Sequence, residues 1–180
     1  LEEMAKAAAD GGFEYLVVTD HSKSAVYANG LTIERLEEQW QAIDRWNNTN
    51  SLVVLKGIEC DILVDGSMDY SDEVMAQFDV VIASVHAQLK MDEDRATQRL
   101  IRAIEHPSVH ILGHPTGRLL LSRSGYPVNH TKLIDACAAN QVSIELNANP
   151  FRLDLDWSFI PYARDKGVLI SINPDRKSVV

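Results

Sequence analysis

The chain has 180 residues, enough for one domain with a sizeable buried core. Apolar residues make up 46% of it, but no apolar run approaches the ~18 residues of a transmembrane helix, so neither a membrane span nor a membrane partner is expected. The formal charge of −9 argues against a free-standing nucleic-acid-binding surface, which is normally basic, and is compatible with a site for divalent cations.

The cysteine content and the first residues bear on the compartment. Cys60 and Cys137 are too few for a disulfide scaffold, and a reducing cytoplasm is the expected location. Leu1 opens directly into a helical pattern without a basic segment or a cleavage site, so no signal peptide is predicted.

Short apolar segments alternate with amphipathic ones along the chain. The first amphipathic segment begins at Leu1 and predicts a helix that ends at Gly11-Gly12. The Val- and Ile-rich segments that follow predict six buried parallel strands: Tyr15 to Thr19, Leu52 to Ile58, Val80 to Val85, Val109 to Leu112, Val142 to Leu146 and Val168 to Ile172.

The amphipathic segments between these strands predict helices with recognisable capping residues. The clearest runs from Thr32 to Asn47, with Thr32 placed to cap it. Asp92, Thr131 and Ser158 are placed to cap later helices. Repeated β-α units of this kind imply a parallel sheet, either closed as a barrel or open and doubly wound.

The residues at the strand ends favour the barrel. In a parallel barrel all carboxyl ends of the strands meet on one face, where barrel active sites lie. Almost every predicted strand runs into a residue type that can bind a metal: Asp20 and His21, Glu59, His86, His114, Asn147, and Asn173 with Asp175.

Three histidines and two carboxylates at one rim can hold more than one divalent cation. Imidazole suits Zn, Fe or Ni, and carboxylates extend the range to Mn. Glu59 is placed to bridge two ions. Metal ions can activate water against a phosphate ester, so no Ser or Cys nucleophile is needed, and no nucleophile elbow or phosphate-binding Gly-rich loop is present.

Other candidate residues have weaker cases. We interpret His106, His110 and His130 as structural or exposed, with His106 at a helix end, His110 at the start of a strand and His130 in a loop. Cys60, beside Glu59, is expected to pack in the core. Arg118 follows His114 at the same rim and could contact a phosphate, although a surface role is equally compatible.

Several motifs together resemble those of the PHP (polymerase and histidinol phosphatase) superfamily. They are Thr19-Asp20-His21-Ser22, Gly57-Ile58-Glu59-Cys60-Asp61, Ser84-Val85-His86, Gly113-His114-Pro115-Thr116-Gly117-Arg118-Leu119 and Asn147-Ala148-Asn149-Pro150. The fourth motif, together with Asp61-Ile62-Leu63, is similar to the C-terminal PHP domain of bacterial family X DNA polymerases. The resemblance covers essentially the whole chain.

The resemblance implies a distorted TIM-like (β/α)7 barrel with up to three divalent ions, Mn or Zn, with Fe as a further candidate. It implies that His21 binds the third metal, that Glu59 bridges the first two, and that Asp175 serves the first. His86 and His114 would complete the second metal's shell, which makes Glu59, His86 and His114 the expected catalytic group. The implied activity is 3′-5′ exonuclease and 3′-end processing, on DNA ends delivered by an N-terminal polymerase domain.

Two departures from the family pattern shape the expectation for this chain. The family's first strand, with its His-x-His motif, should precede Leu1, so residues 1–180 are expected to form a single, N-terminally truncated PHP domain lacking its first strand. The family's closing Asp-x-His would place a histidine at Lys177. The chain as it stands is therefore expected to show activity near background.

Three functions remain open on these residues. The first is the nuclease domain of a DNA repair polymerase, which the Gly-His-Pro-Thr-Gly-Arg string favours. The second is a free-standing small-molecule phosphatase of histidinol-phosphatase type. The third is a metal-poor structural domain that positions a polymerase, which the absent His-x-His and Lys177 favour.

Overall fold

A computed structural model describes residues 1–175 of the chain, and they form an α/β fold. Strands and helices alternate, as the apolar pattern predicts. The strands are β1 (Tyr15–Val18), β2 (Val53–Asp61), β3 (Val80–Ser84), β4 (Ile111–Leu112), β5 (Ser143–Asn147) and β6 (Ile170–Asn173). The helices are α1 (Glu2–Asp10), α2 (Ile33–Asn47), α3 (Asp72–Met75), α4 (Glu93–Ile104), α5 (His130–Asn140) and α6 (Ile160–Asp165).

The six strands form one parallel sheet in the order in which they occur along the chain. Each strand pairs in parallel with the next, from the β1–β2 pair to the β5–β6 pair. The sheet curls into a half-barrel, which confirms the predicted TIM-like parallel architecture. Within residues 1–175, β1 and β6 each pair with a single strand. A seventh unit, and the loss of a first strand, stay predictions.

The strand predictions are confirmed to within three residues at their ends. The largest difference is in β2, which continues past Ile58 to Asp61. Its last residues stay in the ladder, with Glu59 beside Ile82 and Asp61 beside Ser84 of β3. The extension matters for function because it places Glu59 and Asp61 on a rigid strand.

Helices pack on the sheet through the apolar faces that the sequence predicted. Leu36 of α2 and Leu100 and Ile104 of α4 are buried in the main core, with residues from β2 to β5. Burial of one such side chain contributes about 1.5–3 kcal/mol. A smaller cluster, with Ala5 of α1 and Ile43 of α2, packs at the β1 end of the sheet. In the described part of the chain, no helix is long and apolar enough to cross a membrane.

Two of the four predicted helix caps are confirmed. The Thr32 hydroxyl accepts the amide of Arg35 at 3.4 Å, and the Asp92 carboxylate accepts that of Arg95 at 2.8 Å. As N-caps, these side chains satisfy donors that the first helical turn leaves unpaired.

The caps predicted at Thr131 and Ser158 are wrong. Asn129 caps α5 by accepting the amide of Lys132 at 3.0 Å, and Asp156 accepts the amide of Ser158 at 3.0 Å at the start of a short 3₁₀ turn. Both predicted hydroxyls instead donate to the side chain that replaces them. In each case an Asx side chain two residues upstream takes the cap position.

Gly57 sits at a point of close packing between β1 and β2, so Gly57→Ala is expected to destabilise the fold. A Cβ there would lie 2.6 Å from Val17 Cγ1 and 2.7 Å from the Val18 carbonyl oxygen. Overpacking of this kind lowers the free energy of unfolding by about 1–3 kcal/mol, measurable by urea denaturation. Val53→Ala, at an exposed position of the same strand, serves as the control and should change stability less. Equal effects would contradict the packing argument.

Candidate metal centre

The candidate ligands lie together because the strands that carry them are parallel. Glu59 lies within β2, and His21, three residues past β1, forms a backbone bridge with it. His86 follows the end of β3 by two residues, and His114 follows the end of β4 by two residues. All four therefore occupy the carboxyl end of the sheet, the face on which barrel enzymes place their active sites.

The Glu59 carboxylate is at the centre of this group. Its Oε1 lies 3.1 Å from His86 Nε2 and 3.0 Å from His114 Nε2, and its Oε2 lies 3.5 Å from His21 Nδ1. The His86 ring is edge-on to both other imidazoles, with centroids 4.8 Å from His21 and 5.2 Å from His114. We call these four residues the rim cluster.

The charges of the rim cluster are strongly coupled. Burial alone would raise the pKa of the Glu59 carboxyl, but hydrogen bonds from His114 and His86 hold that pKa well below its usual range. Burial also opposes charge on His86, yet its bonds to Asp61 and Glu59 raise its pKa to about 9. The site therefore holds an ionised carboxylate whose charge is balanced by a proton, and a bound cation can supply that balance instead.

Asp61 orients His86 from behind. Its carboxylate is hydrogen-bonded to His86 Nδ1, which leaves Nε2 directed at Glu59. The Asp61 amide in turn donates to the buried Ser22 hydroxyl at 2.9 Å. A carboxylate behind a ligating histidine is the usual support of a metal site. The residue types at the strand ends did not predict this role, although Glu59 and Asp61 share one face of β2 through the two-residue period of a strand.

Glu145 supports His114 in a comparable way. Its Oε2 accepts the backbone amide of His114 at 2.7 Å, and its Oε1 accepts Asn173 Nδ2 at 3.1 Å. Burial is the main cause that raises the pKa of Glu145, and the charge of Glu59 adds to it. This residue was also missed. Its signal was a carboxylate inside the apolar run Ile144-Glu145-Leu146.

Asp175 lines a cavity at the same rim. A cavity of about 950 Å³ is lined by His21, Glu59, Glu145 and Asp175, among others. Asp175 Oδ2 accepts a hydrogen bond from Asn147 Nδ2 at 3.0 Å and lies 3.3 Å from Nε of Arg152, in the segment after β5. Lys177, where the family pattern would place a histidine, lies outside the described residues.

Arg118 is not among the residues that line the cavity. Its Nε donates to the Arg152 carbonyl at 2.9 Å and its Nη1 to Asp156 Oδ2 at 2.8 Å, and its Nη2 binds the Leu153 carbonyl. The guanidinium thus holds the segment 152–156 in place. A contact between Arg118 and phosphate stays a prediction.

The remaining histidines have local partners outside the rim cluster. His106 lies 3.3 Å from Asp72, and His110 Nδ1 accepts the amide of Val81 at 3.1 Å. His130 does not lie in a loop as predicted; it is the first residue of α5, and its ring stacks on Phe159 at 4.0 Å. Cys60 is buried, and burial raises the pKa of its thiol to about 12, as expected for a core residue.

The rim cluster fits a divalent ion by its donor set and spacing. Ligands at about 2.0–2.1 Å from a tetrahedral ion are separated from one another by roughly 3.3 Å. The contacts around Glu59 measure 3.0–3.5 Å, and the ligand atoms of His21, Glu59 and His86 all lie within 4.8 Å of one another. A His/Glu/His group of this kind could hold a metal ion.

Comparisons with known proteins find relatives that match most of the chain. The chain is 42% identical over 180 residues to the DNA polymerase/3′-5′ exonuclease PolX of Bacillus subtilis, covering 99% of this chain and 32% of that protein. It is 29% identical over 146 residues to the probable phosphatase YcdX of Escherichia coli, covering 78% and 54% respectively. The chain thus spans a third to about half of the length of these relatives. No family model matches it.

Solved structures show the same fold at low sequence identity. A triazine hydrolase from Arthrobacter aurescens superimposes with a TM-score of 0.54 at 14% identity, over 96% of this chain and 40% of the hydrolase. At that identity the likeness concerns the fold alone. The sequence relatives are in line with the resemblance that the motifs predicted: the chain is similar to part of the PolX protein over 99% of its own length and to a probable phosphatase over 78%.

Proposed function

We propose that the chain is a metal-dependent phosphoesterase domain that processes DNA 3′ ends as a 3′-5′ exonuclease. The observation that carries this proposal is the buried Glu59 carboxylate surrounded by the imidazoles of His21, His86 and His114 at the carboxyl end of a parallel sheet. The similarity to an exonuclease over almost the whole chain supports the reaction class.

The proposed metal ligands are His21, Glu59, His86, His114 and Asp175, and Mn or Zn are the ions that this mixed imidazole and carboxylate set suits best. Fe is a further candidate, and up to three ions would be bound in the intact domain. Bound cations would supply an activated water and neutralise the charge that builds up on the phosphoryl group. Glu59, His86 and His114 are proposed as the catalytic group.

The protein's own contribution is to fix these side chains before substrate arrives. Asp61 holds the His86 ring in the orientation that directs Nε2 to Glu59, and Glu145 holds the backbone at His114. Both supports are buried, and they lie on β2 and β5. A preorganised site avoids rearrangement during the reaction, which is where much of the catalytic advantage of such sites arises.

DNA is the proposed substrate although the chain is acidic. A formal charge of −9 gives no long-range attraction to a polyanion. We therefore propose that residues 1–180 belong to a longer protein whose N-terminal polymerase part delivers the DNA end. At the rim itself, Tyr27 is 68% exposed, and its ring lies 5.8 Å from His21 and 6.2 Å from His86. An exposed aromatic ring in that position can stack on a terminal base.

The second candidate function is a small-molecule phosphatase. It is favoured by the similarity to probable phosphatases over 78% of the chain. The two functions use the same rim cluster, so they differ in what surrounds the phosphate and not in the chemistry. If the protein hydrolysed a small phosphate monoester but neither single-stranded nor primed DNA, the phosphatase function would be favoured.

Removing the charge of Glu59 is expected to abolish metal binding at the rim cluster. Glu59→Gln keeps the shape but loses the anion that balances the cation, and a bridging carboxylate would serve two ions at once. Elemental analysis should show at least one fewer Mn per chain, and any Mn-stimulated release of 3′ nucleotides should fall to background. Glu37→Gln, on the exposed side of α2, is the control and should keep full metal content. Unchanged stoichiometry in E59Q would rule out this site.

Asp61 is expected to set metal affinity without being a ligand. Asp61→Asn weakens the support of His86, and loss of such a supporting carboxylate typically lowers metal affinity about 10–100-fold. Titration with Mn would measure the dissociation constant. Asp65→Asn, an exposed carboxylate four residues along, is the matched control. If both variants bound Mn like the parent chain, Asp61 would have no role at the site.

The role of Tyr27 separates the two candidate functions. Tyr27→Ala should weaken binding of a short single-stranded oligonucleotide by about tenfold, because stacking on one base contributes roughly 1–3 kcal/mol. Tyr27→Phe keeps the ring and should bind like the parent. The affinity for the oligonucleotide is measured by fluorescence anisotropy in the presence of Mn. The affinity for inorganic phosphate, measured as a control, should be the same in Tyr27→Ala and in the parent chain. If Tyr27→Ala bound the oligonucleotide as tightly as the parent chain does, base stacking would be excluded and the phosphatase would be favoured.

A further inference from the structure

Arg152 is a cation at the rim to which the motifs assigned no role. It lies in the segment between β5 and the 3₁₀ turn Trp157–Phe159, and its side chain is 17% exposed. Its Nε lies 3.3 Å from Asp175 Oδ2. Its Nη1 is buried and has no hydrogen-bond partner among residues 1–175.

The backbone of Arg152 is held in place on both sides. Its amide donates to the Asn149 carbonyl at 2.8 Å, and its carbonyl accepts Arg118 Nε at 2.9 Å. Arg118 reaches Asp156 with a second nitrogen at 2.8 Å. One arginine thus fixes the segment from which the other projects, so the second guanidinium is positioned before any ligand binds.

The surroundings of Arg152 place its charge on the same side as the rim cluster. Asp175, its partner, lines the cavity together with His21 and Glu59. Tyr27 is within electrostatic reach of Arg152 as well as of Asp61 and Glu59. Burial is the main cause that raises the pKa of Tyr27 to about 12, the charges of Asp61 and Glu59 add to the rise, and the charge of Arg152 opposes it.

A buried guanidinium nitrogen without an acceptor is energetically costly, because it has lost its hydrogen bonds to water without replacement. Such a donor is tolerated where a ligand supplies the missing acceptor. The planar fork of arginine matches the oxygens of a phosphoryl group, to which it binds more strongly than to neutral acceptors. The Nε already faces a carboxylate, and Nη1 is a buried donor without an acceptor among residues 1–175, so it is a nitrogen that an incoming anion can bind.

We propose that Arg152 binds a non-bridging phosphoryl oxygen of the substrate through Nη1, and that Arg118 is a positioning residue that holds the segment 152–156. This inference rests on the proposed phosphoesterase function and deepens it, because it assigns the phosphate contact to a residue of the rim. It moves the contact predicted for Arg118 to the arginine that Arg118 supports.

A purely structural role of Arg152 predicts different binding constants from a phosphate-binding role. If Arg152 served only to orient Asp175, its loss would weaken metal binding and leave phosphate affinity, at saturating metal, unchanged. If Arg152 binds the phosphoryl group, its loss weakens phosphate binding and leaves metal affinity nearly unchanged. The two roles therefore separate in two binding constants, and neither measurement needs turnover.

The experiment measures both constants by calorimetry on the 180-residue chain, first with Mn and then with inorganic phosphate at saturating Mn. Arg152→Gln should raise the phosphate dissociation constant about tenfold or more, as expected for loss of a charge-assisted hydrogen bond, with the Mn constant within about twofold. Arg152→Lys, which keeps the charge and most of the packing, should show an intermediate loss and covers the case in which R152Q does not fold. Arg118→Gln should lower the melting temperature and affect phosphate less than R152Q does.

Arg164→Gln is the control, because that side chain is 78% exposed on α6 and should change neither constant. Parental phosphate affinity in both R152Q and R152K would overturn the inference and leave the phosphoesterase proposal standing. So would a loss confined to Mn binding. A parent chain that binds Mn but neither phosphate nor a phosphate ester would overturn both proposals together.

Discussion

The burial of the Glu59 carboxylate is the constraint to which the rest of the rim responds. An isolated carboxylate in a protein interior is costly unless it is paired and hydrogen-bonded. Glu59 is only 8% exposed, and the imidazoles of His86 and His114 approach one of its oxygens from two neighbouring strand ends. Three imidazoles that can each lose a proton therefore surround one carboxylate. A divalent cation can bind there by displacing protons from these rings, because it supplies the positive charge that balances Glu59.

The parallel sheet makes this arrangement rigid. Glu59 is held by ladder bonds to β3, and the side chains that support the His86 ring and the His114 backbone, Asp61 and Glu145, lie on strands of the same sheet. Each support reaches its histidine through a hydrogen bond, to the His86 ring in one case and to the His114 amide in the other. The geometry of the cluster is therefore set by strand register, since a shift of one residue would turn these side chains to the opposite face.

The segment after β5 brings an arginine beside Asp175, one of the residues that line the cavity. Arg118 donates to the backbone of this segment at Arg152 and to the side chain of Asp156. The Arg152 side chain extends from the same segment to Asp175. Arg118 and Arg152 thus have different environments, which the residue type alone does not reveal. One has its nitrogens occupied by protein oxygens, and the other keeps a buried nitrogen without a partner among residues 1–175.

Much of this protein could be predicted from the order of its residues. Apolar periodicity predicted six parallel strands, local capping chemistry predicted the starts of α2 and α4, and the residue types at strand ends predicted which side chains would meet. These features depend on neighbours within a few positions, or on the rule that parallel strands end on one face. The Thr131 and Ser158 caps failed because two side chains competed for the same amides, and local rules do not rank such competitors.

Only the tertiary structure decided which residues support the cluster. Asp61 acts on His86 across 25 positions, Glu145 on His114 across 31, and Arg118 on Asp156 across 38. Such contacts depend on how far β2 extends, on the register of β5 and on the path of one connecting segment. Residue type at a single position carries no information on any of these, because a buried Glu, Asp or Arg acquires its role from the atoms that the fold places within about 3 Å of it.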